Sequence, residues 1–327
     1  MKVIFIVQII FSWMATDVVG GGLQGGASYH YFKQSKLMLR MIPYLAEESC
    51  FALKGGAAIN FFYRDMPRFP KDIDLTYLPI EEREISLMKM SQALQRIASS
   101  AKKIGLHIHE SCPWNNRIIK IFITDGVNQI RIEPNEVIRG TVYAPLKCQA
   151  SQIVESAFET SASMQVVQLA DLYAGKLCAA MDRQHPRDLF DVKILLENEG
   201  ITDKIRKAFV IYLACHHRPI HELIDPKRKN IFDLFQKEFI GITDRDITYE
   251  DLILTREICI HKIQSELTLE ERKFLFSLKE GNPRWSLLEI PGVEDLPAIQ
   301  WKLLNIRKMD KVKHLDSLNK LRKKLNL

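Results

Sequence analysis

The most constraining stretch of the chain is Leu53-Lys-Gly-Gly-Ala-Ala-Ile59, followed shortly by Lys71-Asp-Ile-Asp-Leu75. Two adjacent glycines predict a tight turn, because residues without a Cβ allow sharp bends and close approach of a ligand to the backbone. A short helix from about Ala57 to Tyr63 should follow and aim its first N–H groups toward the turn. Strand side chains alternate between faces, so Asp72 and Asp74 share one face while Ile73 and Leu75 share the other. The apolar pair can anchor a core while the carboxylates meet solvent or ligand. Taken singly, Asp-x-Asp and Gly-Gly are ordinary features. Together, a turn that can hold phosphate oxygens and a carboxylate pair that can hold a hard cation point to a nucleoside triphosphate with Mg2+ (or Mn2+). Lys54, Gly55, Gly56 and Ala57 are then the nucleotide-binding candidates, and Asp72 and Asp74 the catalytic and metal ones.

A third acid lies downstream. Arg117-Ile-Ile-Lys-Ile-Phe-Ile-Thr124 reads as a strand, and Asp125-Gly126 predicts a two-residue hairpin turn. The following Val127-Asn-Gln-Ile-Arg-Ile-Glu133 alternates again, with Ile130 and Ile132 on one face and Gln129, Arg131 and Glu133 on the other. Pro134 is expected to end the strand and leave Glu133 near its tip. Pattern alone divides evenly between an exposed edge-strand glutamate and a metal ligand. Beside Asp72 and Asp74, the metal reading of Glu133 is the stronger.

Asp171 to Arg183 has helical spacing, with Lys176 and Arg183 on nearly the same face. Pro186, after Gln184-His185, suits the first turn of a second helix carrying Arg187, Asp188 and Asp191. Arg187 and Asp191 are four residues apart and can pair. Periodicity by itself favours a solvated helical hairpin laced with ion pairs.

These segments resemble the AbiEii/AbiGii toxin family of nucleotidyltransferase-like proteins, the toxin halves of bacterial type IV toxin–antitoxin and phage-defence systems. The resemblance rests on Phe51–Asn60, Lys71–Thr76, Ile130–Asn135, Arg139–Tyr143, Ala170–Lys176 and Asp182–Asp191, with Leu296–Asn305 near the C-terminus. It implies an α+β protein: a polymerase-beta-like mixed-sheet core over residues 37–150, then a mainly helical lobe over residues 151–327 that completes the nucleotide site. It implies that Asp72 and Asp74 bind metal, that Glu133 supplies the third carboxylate, and that Lys176 contacts nucleotide phosphates. Asp188 and Asp191 match the acidic end of the family's lysine–arginine–aspartate motif, with one of them essential. Arg183 and Arg187 would neutralise phosphate or support those acids.

The implied reaction is in-line attack by an acceptor hydroxyl on the α-phosphorus of a nucleoside triphosphate, with an RNA 3′ end, transfer RNA above all, as the leading acceptor class. A cognate antitoxin is an implied partner. Two positions depart from the family: Ala57 stands where Thr or Ser usually follows Gly-Gly, and Pro70 stands where a Ser usually precedes the first aspartate by two residues. The first removes a hydroxyl, the second a backbone donor. A catalytically impaired nucleotide- or partner-binding protein is the alternative they raise.

Composition agrees with a globular protein: 327 residues, 46% hydrophobic and 26% charged, with a net charge of +6. Much of the basic excess falls between Lys302 and Lys324, where nine Lys and Arg residues face Asp310 and Asp316. Interleaved Leu303, Ile306, Met309, Leu315 and Leu318 read as a packed helix face, which favours a solvated basic surface over a dedicated RNA site. The six cysteines are scattered without a Cys-x-x-Cys pair, which suits reduced thiols and gives no zinc signature. His107 and His109 alternate on a strand, His216 and His217 are adjacent, and both pairs read as structural or surface residues. Lys2 precedes an apolar run, Val3–Ala15, too short for a membrane span, and Gly20–Gly26 reads as a flexible linker. Residues 1–36 are therefore expected to be a leader outside the family, with a signal peptide as the lesser alternative. A triphosphate substrate implies a cytoplasmic enzyme with no stable membrane association. Further helices are expected over Glu81–Lys103, Leu252–Leu278 and Leu296–Leu318, the last two joined by a loop over Glu280–Leu296, and the chain should turn helical after Ser163.

Overall fold

A computed structural model describes residues 23–112 and 117–327, so the apolar run Val3–Ala15 lies outside the described residues. Seven strands form one mixed sheet in the order β3-β4-β5-β2-β1-β7-β6: β1 Phe51–Lys54, β2 Ile73–Tyr77, β3 His107–Ser111, β4 Lys120–Thr124, β5 Gln129–Asn135, β6 Leu146–Gln149 and β7 Ser163–Val166. The helices are α1 Leu23–Ala46, α2 Gly55–Ala58 continued by a wider turn over Ile59–Tyr63, α3 Arg83–Lys103, α4 Gln152–Phe158, α5 Leu169–Asp182, α6 Pro186–Glu197 and α7 Asp203–Cys215. They continue as α8 Ile220–Ile224, α9 Phe232–Glu238, α10 Tyr249–Glu266, α11 Leu269–Glu280, α12 Pro297–Arg307 and α13 Lys311–Leu325.

The chain divides into two compact units. The first takes the chain as far as Glu136 and adds Ala144–Gln168 and Glu238–Asp246; the second takes Val137–Tyr143, Leu169–Lys237 and Ile247–Leu327. The whole sheet belongs to the first. The expected boundary at residue 150 therefore falls inside that unit, between β6 and α4. Strand β7 begins at Ser163, and the chain beyond it becomes helical only from Leu169.

Register explains the two faces of the sheet. β2 runs antiparallel to β1 and parallel to β5, and β5 runs antiparallel to β4. The pairs Leu53–Leu75 and Ile73–Ile132–Ile121 form apolar rows. These five side chains are fully buried, and α1 and α3 pack against this part of the sheet. The opposite face carries Lys54–Asp74–Glu133 as one row across three neighbouring strands. A one-residue slip would exchange the faces, so burying the isoleucines also fixes where the acids point.

Several expected boundaries shift. Helix α1 begins at Leu23, so Leu23–Gly26 of the expected linker are helical. The β4–β5 connection is a four-residue loop, Asp125–Asn128, rather than a two-residue turn. There Asp125 Oδ1 accepts the N–H groups of Val127 at 3.0 Å and Asn128 at 2.7 Å, a local side-chain turn that outcompetes the tighter hairpin. Pro134 lies within β5 rather than ending it. The β4 pairing ends at Ile132, so no β4 ladder bond is asked of the proline. The Leu252–Leu278 span breaks at Leu267–Thr268, where Thr268 and Glu271 form a reciprocal cap for α11. The Leu296–Leu318 span divides at Lys308–Asp310, with Asp310 capping α13.

In the second unit α5 packs on α6 and α7. Gly175 permits the close approach of Tyr212, since a Cβ there would sit 3.3 Å from the tyrosine ring. The Tyr212 hydroxyl donates to buried Asp171 at 3.2 Å, and the N–H groups of Val142 and Tyr143 donate to the same carboxylate at 2.7 and 3.1 Å. Burial pushes Asp171 up to about 6 against the opposing pull of those donors.

Lys302 leaves the expected basic surface. It is half-buried, its ammonium donates to the carbonyls of His216 at 2.6 Å and Arg218 at 3.2 Å, and desolvation draws it down to about 8. Leu303 and Ile306 are buried as expected, whereas Met309 and Leu315 are exposed and Leu321 and Leu325 anchor α13. All six cysteines are free thiols. Among the described residues, no helix is long and apolar enough to cross a membrane.

Ile132 sits at the centre of the buried face. Ile132→Ala should lower unfolding stability by about 2–5 kcal/mol in urea titrations, whereas Val127→Thr, on the exposed loop, should leave the midpoint unchanged.

Candidate active site

The first cluster grows out of the β1–α2 turn. Lys54 is extended, Gly55 takes the left-handed φ of +70° that favours glycine, and α2 begins at once. Glycine is needed there twice over, because a Cβ on Gly55 would fall on the Asp74 carboxylate. At Gly56 a Cβ would lie 2.8 Å from Arg68 Nη2. The Ala57 side chain is buried, so this position offers a ligand its backbone alone. Pro70 is buried in the segment before β2, which is pinned where the Phe69 N–H donates to the Ile242 carbonyl at 2.7 Å.

Asp72 immediately precedes β2 and Asp74 lies within it; both are half-buried. β5 is flanked by β4 and β2, which removes the edge-strand alternative for Glu133. Cations interleave with the acids. Arg131 donates from Nη2 to Asp72 Oδ2 at 2.7 Å, and its Nε lies 3.4 Å from Glu133 Oε2. That Nε is buried and makes no hydrogen bond, so its relation to Glu133 is one of charge proximity. Lys120 Nζ stands 4.0 Å from Glu133 Oε1.

Three cations here escaped the sequence reading. Alternation puts Arg131 on the face of Glu133, but its reach to Asp72 depends on the parallel β2–β5 pairing, which no local pattern reveals. Lys120 depends likewise on the β4–β5 register. Arg68 is buried, its Nη1 donates to the Phe69 carbonyl at 2.9 Å, and its guanidinium lies over Gly56. The one available signal for it was an arginine inside the apolar run Met66–Pro70.

The second cluster belongs to the second unit, on α5 and α6. His185 caps α6 through Nδ1, which accepts the Arg187 N–H at 3.2 Å, and Pro186 occupies the first turn. Lys176 Nζ reaches Asp188 Oδ1 at 2.8 Å and Asp191 Oδ2 at 3.0 Å, and all three side chains are buried. The more exposed Arg183 donates from Nη2 to Asp188 Oδ1 at 3.0 Å and from Nε to Oδ2. Burial alone would raise Asp188, but Lys176 and Arg183 outweigh it and hold the carboxyl well below the usual range. Asp191 meets Lys176 in this cluster, and Arg187 sets its Nη2 3.3 Å from His185 Nε2.

A third group joins Asp182, His216 and His217, whose ligand atoms lie within 4.8 Å of one another, a metal-ligand spacing met nowhere else among the described residues. Arg218 already holds Asp182 Oδ1 at 2.7 Å, and its N–H donates to His216 Nδ1 at 3.2 Å. That bond leaves Nε2 as the protonated nitrogen facing Asp182, 3.7 Å away. Burial and the neighbouring His217 draw His216 down to about 4, so it is neutral at pH 7. The group works as a bracket between α5 and the end of α7, as the structural reading of these histidines expects.

A mixed sheet with a Gly-Gly turn beside an Asp-x-Asp strand places the chain among nucleotidyltransferase folds. The solved structure of MenT4, a nucleotidyltransferase toxin from Mycobacterium tuberculosis, is similar in fold, with a TM-score of 0.57 and 13% identity over 88% of this chain and 99% of that one. The family model described as nucleotidyl transferase AbiEii toxin, type IV TA system, matches residues 36–303, and the chain belongs to that family. It is a nucleotidyltransferase of the toxin class. A search of curated proteins gave no match.

Asp188 supplies a pH test. Its folded pKa lies below its unfolded one, so its contribution to stability is complete above the ordinary carboxylate value of about 4 and is lost as pH falls below it. Asp188→Asn should cost about 3–5 kcal/mol at pH 7, since it leaves buried Lys176 short of a partner. The urea midpoint should then fall less between pH 6 and pH 3.5 in the variant than in wild type; equal falls would assign the acid sensitivity elsewhere.

Proposed function

We propose that the protein is a metal-dependent nucleotidyltransferase toxin that transfers a nucleoside monophosphate from a nucleoside triphosphate to the 3′ end of an RNA, with transfer RNA as the acceptor class. The supporting observation is the row Lys54–Asp74–Glu133, with the Asp74 carboxylate against the Gly55 turn. Half-buried carboxylates on one sheet face suit Mg2+ or Mn2+, which favour oxygen ligands and share them with triphosphate oxygens. Asp72, Asp74 and Glu133 would hold the ion by closing to a tighter spacing than they have here, with Asp72 first released by Arg131. When bound, it supplies Lewis acidity at the α-phosphate and neutralises the departing charge.

The chain's own residues do the rest. The backbone at Gly55, Gly56 and Ala57 and the ammonium of Lys54 receive the triphosphate. Glu133 orients the acceptor hydroxyl and takes its proton as the oxygen attacks the α-phosphorus, while the bond to pyrophosphate breaks in line. In the second unit, the family resemblance assigns Lys176, Arg183 and Arg187 to nucleotide phosphates, with Asp188 and Asp191 holding Lys176. The two buried carboxylates on one ammonium support that reading. Triphosphates are abundant in the cytoplasm, which is the proposed location, and a cognate antitoxin is the proposed partner.

The test is incubation of purified protein with Mg2+, each α-labelled triphosphate and total transfer RNA. Label should enter RNA with one or two of the four triphosphates, and Asp74→Asn should reduce incorporation at least about a hundredfold, the scale of losing transition-state charge stabilisation. Triphosphate binding without transfer to any RNA would instead favour the binding protein suggested by Ala57 and Pro70.

A further inference from the structure

The carboxylate face is already crowded by cations before any ligand arrives, Arg68 over the neighbouring Gly56 among them. Asp72, Asp74 and Glu133 contribute three negative charges. Arg131 contacts the first and approaches the third, Lys120 approaches the third from β4, and Lys54 flanks Asp74 in register. A bare divalent ion entering this half-buried site would add two positive charges beside those cations. It would also have to separate Asp72 from a guanidinium 2.7 Å away. A triphosphate changes both terms, because its oxygens offset the ion's charge and offer Arg131 the planar, paired acceptors that a guanidinium prefers.

We propose that Arg131 is a built-in cation of this site, held between Asp72 and Glu133 until a nucleoside triphosphate takes it over, so that the enzyme binds divalent metal as the metal–triphosphate complex and excludes the free ion. Arg131 is thus a positioning residue that makes metal occupancy conditional on substrate. The buried Nε supports this role: it sits beside Glu133 without a hydrogen bond, so one of its donors is still to be satisfied. Arg117 provides the contrast. It also belongs to the first unit, but it pairs with Glu84 and touches none of the three acids. The proposal rests on the reading of Asp72, Asp74 and Glu133 as metal ligands.

The experiment measures Mn2+ binding to the full chain by electron paramagnetic resonance, with and without the α,β-methylene analogue of each of the four triphosphates. Wild type should bind Mn2+ at least tenfold more tightly with an accepted analogue than without one. Arg131→Met should bind free Mn2+ at least tenfold more tightly than wild type does, and should lose most of its dependence on the analogue. Arg131→Gln, which keeps a neutral donor for Asp72, is the second variant should the methionine variant misfold by circular dichroism. Arg117→Met should match wild type.

If wild type and both Arg131 variants bind free Mn2+ within twofold of one another, and Asp74→Asn abolishes that binding, the role of Arg131 is overturned while the metal-ligand reading survives. If no form binds Mn2+ even with the analogues, both readings fall.

Discussion

The backbone ladder through β1, β2 and β5 is the constraint on which the rest depends. Its register simultaneously buries Ile73, Leu75 and Ile132 against the helices and lines up Lys54, Asp74 and Glu133 on the opposite face. Stability and the geometry of the proposed site are therefore specified by the same hydrogen bonds. The turn after β1 adds to this economy. Gly55 takes the left-handed backbone that starts α2 and leaves room for the Asp74 carboxylate where any side chain would stand.

The two charged clusters solve different electrostatic problems. In the second unit, Lys176, Asp188 and Asp191 are buried, so each charge must be met at hydrogen-bond distance. Their value lies in fixing α5 against α6, and Arg183 extends the network toward solvent. In the first unit the acids are only half-buried, and Arg131 and Lys120 approach them at longer or single contacts. A tightly neutralised cluster holds its geometry. A loosely neutralised one can exchange a side-chain cation for a ligand, which is what a substrate-gated site requires.

Much of this was legible in the sequence because it is local. Period-two alternation placed Asp72 with Asp74 and Arg131 with Glu133, and the apolar residues between them turned out to be core. The Pro186 helix start and the Lys176–Arg183 face came from helical spacing and hold in the structure, where both cations reach Asp188. What could not be read is non-local or competitive. The bond between Arg131 and Asp72 needs the β2–β5 pairing across 59 residues. The position of Lys302 at the end of α7 needs the packing of a distant helix, and composition alone had assigned it to a solvated surface. The Asp125 loop and the interior Pro134 show side-chain turn chemistry and strand partners overriding simple punctuation. The roles proposed for Lys176, Asp188 and Asp191 come from the family resemblance alone, since spacing reads the same residues as an ordinary ion-paired hairpin.

The central claim is that a divalent ion binds at the β2–β5 carboxylates in the presence of triphosphate. Iron-mediated affinity cleavage addresses it most directly: Fe2+ replaces Mg2+, ascorbate and peroxide generate hydroxyl radicals at the bound ion, and the cut positions are mapped by mass spectrometry. The account predicts cuts confined to the neighbourhood of Gly55–Gly56, Asp72–Asp74 and Glu133, dependent on triphosphate and lost in Asp74→Asn. Cuts centred on Asp182 and His216–His217, unaffected by that substitution, would contradict it.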